Sequence, residues 1–353
     1  MSPAGGPAGS VWDGGVVVSA LPGTSIGLEF TDPALESAVG STLAVVEERL
    51  RAAVHSDDPL VAEAARHLVE AGGKRFRPLL AAIAAQFGTG GNGEVVQSAV
   101  VVELTHLGTL YHDDVMDEAE VRRGAPSANS RWGNSIAILV GDFLFACAAT
   151  IAAGLGVEAV RIQAGTFARL VHGQLAETVG PRDADPVEHY LHVITEKTGS
   201  LIATSARFGA MYGGLPAAQV EALARYGQAM GIAFQLSDDV LDIASESVQS
   251  GKTPGTDLRE GVPTLPVLYA LAAQETDPST IRLKELLGAG PVTDDRLHSE
   301  ALGLLRESPA LKQARETVRA YAEQARAELA PLPDVAARRA LESLCDFIAD
   351  RTG

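Results

Sequence analysis

The chain has 353 residues, 46% of them hydrophobic, and 28 basic against 45 acidic residues give it a formal net charge of −17. This length allows one large or two ordinary domains with an ample buried core. The acidity argues against nucleic acid as a partner and against electrostatic adhesion to anionic lipid. It does not exclude anionic substrates, because a few clustered cations and bound metal can reverse the local field.

The two cysteines, Cys147 and Cys345, both stand in apolar helical contexts and are interpreted as small core residues. A disulfide framework and a cysteine zinc site are therefore excluded. The first basic residue is Arg49, so the N-terminus lacks the positive region of a signal peptide. No apolar run is expected to reach the ~18 residues of a membrane span. These features predict a cytoplasmic protein without stable membrane insertion.

Composition divides the chain into two parts. Residues 1–30 are rich in Gly, Pro, Ser and Ala, show no helical period, and are predicted to form a flexible N-terminal arm. Residues 31–353 are predicted to form one all-α domain, a bundle with a buried interior, because no alternating apolar run between turn signals argues for a sheet. Apolar residues at helical spacing predict helices over about 33–54, 58–71, 77–88, 94–120, 134–154, 156–179, 186–212, 217–246, 263–274, 280–287, 293–306, 308–329 and 334–350.

The most informative stretch is an apolar helical run that carries three aspartates, Asp113, Asp114 and Asp117. Between Val101 and Val121 there is no Lys or Arg, so the usual basic partner three or four positions away is missing. On a helix, Asp113 and Asp117 stack one turn apart and Asp114 flanks them. A single cluster of this kind is most often a solvated acidic patch.

The arrangement returns at Asp238, Asp239 and Asp242, with no basic residue after it until Lys252. Two carboxylate triads that share a cavity would repel each other unless cations lay between them. Ligation by Asp with room for water points to Mg²⁺, which usually completes its shell with substrate phosphate oxygens. A di-iron bundle would need a second copy of the Glu-x-x-His motif at 103–106, and the sequence has none.

Basic residues that could bind phosphate stand in separate places. Residues 72–78 place a glycine pair and three basic residues directly before a predicted helix, and helix N-termini favour anions. A basic surface loop explains that segment equally well on its own. The helix of the first triad is predicted to end at Arg122, Arg123 and Gly124. The two arginines would interact favourably with the negative end of the helix dipole, and Gly124 would be the C-cap. The same arginines lie only about a turn and a half beyond Asp117.

Three further signals are weak individually. Lys197-Thr198-Gly199 interrupts a long helical segment, where a lone lysine is normally a surface residue. Residues 251–257, after the second triad, contain two glycines and a proline and are predicted to form a loop. By itself this segment would be interpreted as a linker. His106 lies about two turns, or ~10.5 Å, before Asp113 on one helix face, a suitable distance for a donor to a second anionic group. A lone histidine on an apolar helix is more often a core residue.

Taken together, the motifs resemble those of the trans-isoprenyl diphosphate synthases, the polyprenyl synthetase family, over nearly everything after about residue 40. They follow the family's order: 72–78, 113–117 with 122–124, 197–199, 234–242 and 251–252. The resemblance implies an all-α fold around a deep central cavity, and a homodimer. It also implies that an allylic diphosphate ionises, isopentenyl diphosphate attacks the carbocation, and a proton is lost to the released pyrophosphate.

The resemblance assigns roles to individual positions. Direct ligands of Mg²⁺, with three ions when substrate is bound, would be Asp113, Asp117 and Asp238. Metal support, as ligands or through outer-sphere contacts, would come from Asp114, Asp239 and Asp242. The allylic diphosphate would be held by Arg122, Lys197, Thr198, Gln235 and Lys252. Isopentenyl diphosphate would be held by Gly73, Lys74, Arg77, His106 and Arg123. The six aspartates with Lys197 and Arg122 would form the catalytic set.

In this family, product length depends partly on the residues just before the first triad, where a bulky aromatic five positions before the first Asp closes the prenyl tunnel early. Here that position is Gly108, with Thr109 beside it, which predicts a product of about C30 or longer, of the type used as a quinone side chain. The direction of Tyr111 is not fixed by the sequence. Where many relatives carry a lysine this chain has Val262, which removes one cation from the allylic site.

Other readings of the motifs predict different activities. Class I terpene cyclases share the cavity and the first Asp motif, but their second metal motif normally uses Asn, Ser and Glu. A synthase with a C15–C20 product is a closer alternative. A non-catalytic subunit of a heteromeric synthase is another, although such subunits can lose the aspartates and this chain keeps all six.

Overall fold

The computed structural model describes residues 28, 30–245, 254–274 and 277–351. Within these ranges the regular structure is helical apart from one antiparallel hairpin, β1 (Val121–Arg122) and β2 (Ala125–Pro126). The predicted all-α fold class is therefore confirmed. The helices are α1 (Pro33–Ala53), α2 (Pro59–Glu70), α3 (Phe76–Ala85), α4 (Gly93–Met116), α5 (Ala128–Trp132), α6 (Asn134–Leu155), α7 (Val157–Val179), α8 (Pro186–Ile194), α9 (Ser200–Tyr212), α10 (Ala217–Ala244), α11 (Thr256–Glu260), α12 (Leu265–Ala272), α13 (Pro278–Gly288), α14 (Asp295–Glu307), α15 (Pro309–Glu328) and α16 (Ala336–Asp350).

Several helices start at an Asp-Pro pair, which fixes their N-termini locally. The aspartate side chain accepts hydrogen bonds from two of the first free backbone N–H groups, and the proline occupies the first helical position. Asp32 shows the pattern, accepting from Ala34 N at 2.9 Å and from Leu35 N at 3.1 Å. The helices begun in this way are α1, α2, α8 and α13.

The structure departs from the predicted elements at the end of α4. This helix ends at Met116 and not near residue 120, and Gly124 is not its C-cap. Arg123 (φ 54°) and Gly124 (φ 77°) are instead the two central residues of the β1–β2 hairpin. Two-residue hairpin loops of this type need positive φ at both central positions, so a turn replaces the predicted helix closure.

Two other predictions missed local detail. The single helix predicted over 186–212 is interrupted between α8 and α9 by a π-helical turn, Thr195–Gly199. The short helices α5 and α11 were not predicted, because five residues span little more than one turn and give no readable periodicity.

Two hydrophobic clusters fill the interior, each around a helix that carries an aspartate triad. One surrounds α10, which packs against α9 and α15, with α3, α12 and α16 contributing further residues. The other surrounds α4, which packs mainly against α6 and also contacts α9 and α1. Since both central helices are buried along most of their length, the backbones that carry the triads are rigidly held.

Helix α6 overturns one expectation about membrane spans. It has 22 residues, and its most apolar 18-residue window has a mean hydropathy of 2.2 with 33% of the window buried. By length and composition it could therefore cross a membrane, although a core helix meets the same criterion. Most of the predicted N-terminal arm, residues 1–27 and 29, lies outside the described residues, whereas Leu28 is already buried in the core.

Candidate active site

A cavity of about 830 Å³ lies between the helices that carry the two triads. Its polar lining comes from the loop before α3 and the first turn of α3, from α4, from the β1–β2 hairpin, from the π-helical turn and from α10. It includes Lys74, Arg77, His106, Asp113, Arg123, Lys197, Thr198, Gln235 and Asp238. Helices α6 and α7 contribute apolar lining, which includes Ile138, Phe145, Phe167, Leu170, Val171 and Leu175. The cavity is therefore suited to a ligand with an anionic head and an apolar chain.

The three aspartates of the first triad have different surroundings. Asp113 lines the cavity, and burial raises the pKa of its carboxyl group while Lys197 opposes that shift. Asp114 is fully buried: its Oδ1 accepts a hydrogen bond from Arg122 Nε at 2.6 Å, and its Oδ2 has no hydrogen-bond partner. Asp117 follows the last residue of α4 and is exposed. Asp113 is thus the member of this triad that reaches the cavity wall.

In the second triad, Asp238 and Asp239 also differ. Asp238 lines the cavity and forms an ion pair with Arg351, with 2.6 Å between its Oδ1 and Nη2. Asp239 is buried, accepts a hydrogen bond from the Tyr190 hydroxyl on Oδ2, and accepts another from Gln235 Nε2 on Oδ1 at 3.1 Å. Burial raises the pKa of Asp239 to about 7 even though both donors oppose the shift.

Asp242, the third member of the second triad, binds the backbone at the start of α11. Its carboxylate accepts hydrogen bonds from the backbone N–H groups of Thr256 and Asp257, each at 3.2 Å. The predicted allylic contact Lys252 lies outside the described residues. Val262, which replaces the lysine of many relatives, is exposed after α11.

The loop before α3 is held against the hairpin by Arg123. The guanidinium of Arg123 donates hydrogen bonds to the carbonyl oxygens of Leu68, at 3.1 Å, and Gly72. Gly73 lies beneath that guanidinium with φ +146°, and a Cβ atom there would be 2.9 Å from Arg123 Cζ. Both the backbone conformation and the close approach therefore require glycine at position 73.

Arg77 and His106 both line the cavity near the same loop, and both side chains are partly buried. The Nε of Arg77 is buried without a hydrogen-bond partner, and burial lowers the pKa of its guanidinium to about 10. Burial, and then the charges of Arg77 and Arg123, hold the pKa of His106 well below its usual value. At neutral pH His106 is thus an uncharged donor beside a cation. The neighbouring Arg75 serves the fold, because Glu47 and Glu103 bind its guanidinium.

The π-helical turn, Thr195–Gly199, presents Lys197 and Thr198 to the cavity. Lys197 Nζ lies 2.5 Å from Glu177 Oε2 on α7, and Thr198 Oγ1 lies 3.4 Å from Gln235 Oε1. Helical segments of this kind are often found at functional sites, because the extra residue redirects the following side chains. The sequence indicated the interruption through Lys197-Thr198-Gly199, but not its geometry.

The predicted chain-length position, Gly108, is buried in α4 against an aromatic ring. A Cβ atom at this position would lie 2.8 Å from Cε1 of Phe145 on α6. Thr109 lines the cavity. Tyr111 is fully buried and its hydroxyl donates a hydrogen bond to the carbonyl of Ala64, so this ring points towards α2 and away from the cavity. The space that Gly108 leaves is therefore occupied by Phe145.

The donor set can be compared with the requirements of Mg²⁺. Among the residues that the structure describes, no group of three or more His, Cys, Asp or Glu side chains is close enough to hold an ion alone. Asp113 and Asp238 nevertheless both offer carboxylate oxygens to one cavity, and Asp114 Oδ2 is buried without a partner. Mg²⁺ typically takes one or two carboxylates plus waters and phosphate oxygens. The residues fit an ion shared with a phosphorylated substrate.

Three residues at the site were missed by sequence reasoning. Arg351 reaches Asp238 across 113 positions, Tyr190 reaches Asp239 across 49, and Glu177 binds Lys197 from another helix. A search for basic partners near each triad in the sequence could not find contacts of this range. No local signal marks these three residues.

Fold and site together define a helical protein with a cavity that offers carboxylates, cations and apolar walls to an amphipathic anion. A sequence model described as polyprenyl synthetase matches residues 58–304. The chain belongs to the polyprenyl synthetase family and is a prenyltransferase.

Individual relatives agree with this assignment. The chain is 51% identical over 329 residues to nonaprenyl diphosphate synthase of Mycobacterium tuberculosis, which covers 93% of this chain and 97% of that protein. It resembles geranylgeranyl pyrophosphate synthase of Corynebacterium glutamicum, solved with calcium and isoprenyl diphosphate, with a TM-score of 0.84 and 47% identity over 92% of this chain and 99% of that one. A decaprenyl diphosphate synthase of Rhodobacter capsulatus has a TM-score of 0.82 and 35% identity, over 91% and 99% of the two chains.

Proposed function

We propose that the protein condenses isopentenyl diphosphate head-to-tail with an allylic diphosphate in a Mg²⁺-dependent reaction. The product is an all-trans polyprenyl diphosphate of about C30 or longer, a precursor of a quinone side chain. The observation that carries this proposal is the cavity, where Asp113, Lys197 and Asp238 line the same space as the apolar walls from α6 and α7. An allylic diphosphate has the same division into a charged and an apolar part. The high identity to a nonaprenyl synthase supports the long product.

The reaction begins when the allylic C–O bond breaks and its electron pair leaves with the diphosphate. Negative charge then develops on the leaving group, so fixed cations lower the barrier by electrostatic stabilisation. In this chain the proposed cations are Arg122, Lys197 and Lys252. Thr198 and Gln235, which line the cavity side by side, orient the same diphosphate by hydrogen bonds.

Bound Mg²⁺ supplies further positive charge to the diphosphate oxygens. Asp113, Asp117 and Asp238 are the proposed ligands, with three ions present when substrate is bound. The remaining aspartates of the two triads keep their neighbours in place through Arg122, Tyr190 and the backbone of α11.

Isopentenyl diphosphate is proposed to bind at the basic loop and α4. Arg77 retains its charge at neutral pH and has an unpaired buried Nε, while neutral His106 offers one N–H donor. Lys74 and Arg123 line the same cavity, and Gly73 allows Arg123 to lie close to the loop. Two diphosphates can thus be held by separate sets of cations.

The apolar walls serve the second half of the reaction. They exclude water from the allylic carbocation, which would otherwise be quenched before isopentenyl diphosphate reacts. The double bond of isopentenyl diphosphate attacks the carbocation to form a C–C bond, and the released pyrophosphate accepts the proton that is lost. The product is again an allylic diphosphate, five carbons longer, and can re-enter the cycle.

The test is incorporation of labelled isopentenyl diphosphate into solvent-extractable product after removal of the diphosphate. We expect incorporation with Mg²⁺ and an allylic primer, loss of it with EDTA, and loss of about 10²-fold or more in Asp113→Asn, as expected when a charge-stabilising contact is removed. The matched control is Asp334→Asn. Asp334 lies in the loop before α16 and forms an exposed ion pair with Arg339. Incorporation that is independent of Mg²⁺ and unaffected by Asp113→Asn would contradict the proposal.

A shorter product, C15–C20, is the second candidate. It is favoured by the ring of Phe145, which fills the space beside Gly108, and by the structural similarity to a geranylgeranyl pyrophosphate synthase. Sizing the products separates the two candidates.

The assembly and location are also proposals. Helices α6 and α7 present exposed apolar side chains that do not line the cavity, among them Leu139 at 62% and Val160 at 40% exposure. Because large exposed apolar patches mark interaction sites, we propose that a second copy of the chain covers these side chains in a cytoplasmic homodimer. Light scattering of the purified protein should give twice the chain mass. A monomer that binds lipid vesicles would contradict this proposal.

A further inference from the structure

Gly108 was predicted to set the depth of the cavity, but the side chain that bounds the cavity beside it is that of Phe145. A Cβ atom at Gly108 would lie 2.8, 3.0 and 3.1 Å from Cε1, Cζ and Cδ1 of Phe145. Real Cβ atoms essentially never come within 3.0 Å of another heavy atom, so the ring edge packs directly against the α4 backbone. Phe145 therefore stands where a large side chain at position 108 would otherwise project.

Two further rings hold Phe145 in this position. The His112 ring on α4 packs edge-on, with 5.5 Å between ring centroids, and the Phe167 ring on α7 lies 4.5 Å away. All three side chains line the cavity, and Phe145 is only partly buried, so one side of its ring faces the open space. Aromatic pairs at such separations stabilise each other beyond simple burial. The three helices thus build an aromatic wall across the apolar part of the cavity.

The wall lies at a depth that matters for chain growth. Gly108 is five residues before Asp113, which is about 7.5 Å along the helix. A C5 unit adds roughly 5 Å to an extended prenyl chain, because it contributes four C–C bonds of about 1.5 Å. A chain whose diphosphate lies at the aspartates therefore reaches the level of Phe145 within its first two C5 units.

We propose that Phe145, supported by Phe167, is the residue that limits product length in this chain. The proposal rests on the proposed function, since it requires a prenyl chain that grows into the cavity. A limit at this depth belongs to the shorter, C15–C20 candidate, and a product of C30 or longer would mean that the chain passes the ring, which would overturn the role of Phe145. The glycine at 108 acts by making room for this ring.

Product sizing of point variants tests the proposal. Phe145→Ala should lengthen the longest product by at least one C5 unit, and Phe145→Leu, which keeps more of the packing, should give a smaller shift in the same direction. The control is Phe143→Ala on the same helix, since Phe143 packs in the second hydrophobic cluster and does not line the cavity. Its products should match those of the unmodified protein. Unchanged or shorter products in both Phe145 variants would overturn the proposal.

A binding measurement separates this proposal from the proposed function. Calorimetric titration with unreactive thiolodiphosphates of C10, C15, C20 and C25, in the presence of Mg²⁺, should show the chain length beyond which affinity stops rising. Phe145→Ala should move that length up by one C5 unit and Phe143→Ala should not. If the unmodified protein binds these ligands without elongating any primer, the proposed function fails and the length limit is still measured. An identical limit in Phe145→Ala would overturn the role of Phe145.

Discussion

The guanidinium of Arg351 lies 2.6 Å from Oδ1 of Asp238, a residue 113 positions earlier in the chain. Its Cζ is also 5.4 Å from the ring centroid of Phe234 and 5.9 Å from that of Phe347. The end of α16 therefore places a fixed positive charge on an aspartate that is proposed to bind metal. In the absence of metal, this arginine balances the charge that Mg²⁺ would otherwise neutralise.

Arg351→Gln should alter the response to Mg²⁺. Removal of the arginine takes away a competitor for Asp238, so the Mg²⁺ concentration for half-maximal activity should fall by about threefold or more. The metal-free protein should lose about 1 kcal/mol or less of unfolding free energy, because Asp238 is partly exposed and such pairs are weak. Arg339→Gln, in an exposed pair on the same helix, is the control for both measurements. A higher Mg²⁺ requirement in Arg351→Gln would show that Arg351 assists metal binding.

Gly73→Ala should weaken isopentenyl diphosphate binding. The φ of +146° is strained for alanine, which costs about 1–3 kcal/mol, and the new Cβ would meet the Arg123 guanidinium at 2.9 Å. Displacement of Arg123 should raise the KM for isopentenyl diphosphate by about tenfold or more, while the KM for the allylic primer changes less. Gly93→Ala, at a helix start with open space around it, should change neither value. Equal increases in both KM values would argue for a general loss of fold.

Gly108→Ala should shorten the product through Phe145. The added Cβ would lie 2.8 Å from the ring, so the ring must shift, and its free side faces the cavity. Residues in contact have non-additive effects, so the substitution should have little influence on product length in a Phe145→Ala background. Sizing the products of the unmodified protein, the two single variants and the double variant gives a double-mutant cycle for this pair. Equal shortening by Gly108→Ala in both backgrounds would mean that position 108 acts without Phe145.

The stability of the metal-free protein should depend on the protonation of Asp239. Its pKa is about 7 in the fold, against about 3.9 in an unfolded chain, so folding favours the protonated form. The resulting contribution is fully present below pH 4 and is lost as the pH rises through 7, at a rate of order 1 kcal/mol per pH unit. Urea unfolding at several pH values should show this decrease, and Asp239→Asn should flatten it. Asp334→Asn should leave the slope unchanged.

The parts of the fold that follow from local sequence were predictable. Apolar periodicity placed α1 and α2 to within one residue at each end, because this signal acts within a few positions. The two aspartate triads were visible for the same reason. The end of α4 was misplaced because Glu118, just after the helix, adopts a positive φ of 50°, and a glutamate at that position gives no stop signal in the sequence.

The contacts that define the site were beyond local sequence reasoning. Phe145 rests on Gly108 from a helix 37 positions away, and Arg351 covers Asp238 from the other end of the domain. Such pairs are set by how helices pack, which the spacing of apolar residues does not encode. The sequence could therefore identify which residues carry charge, but not which of them face the cavity.

The most direct test is to incubate the purified protein with Mg²⁺, labelled isopentenyl diphosphate and, separately, C10, C15 and C20 allylic diphosphates, and to size the dephosphorylated products. The proposed function predicts a ladder of products that ends at about C30 or beyond. A ladder that stops at C15 or C20 would retain the elongation reaction and select the shorter product. No incorporation with any primer, in protein whose helical content and thermal unfolding are intact, would contradict the account and favour a non-catalytic subunit.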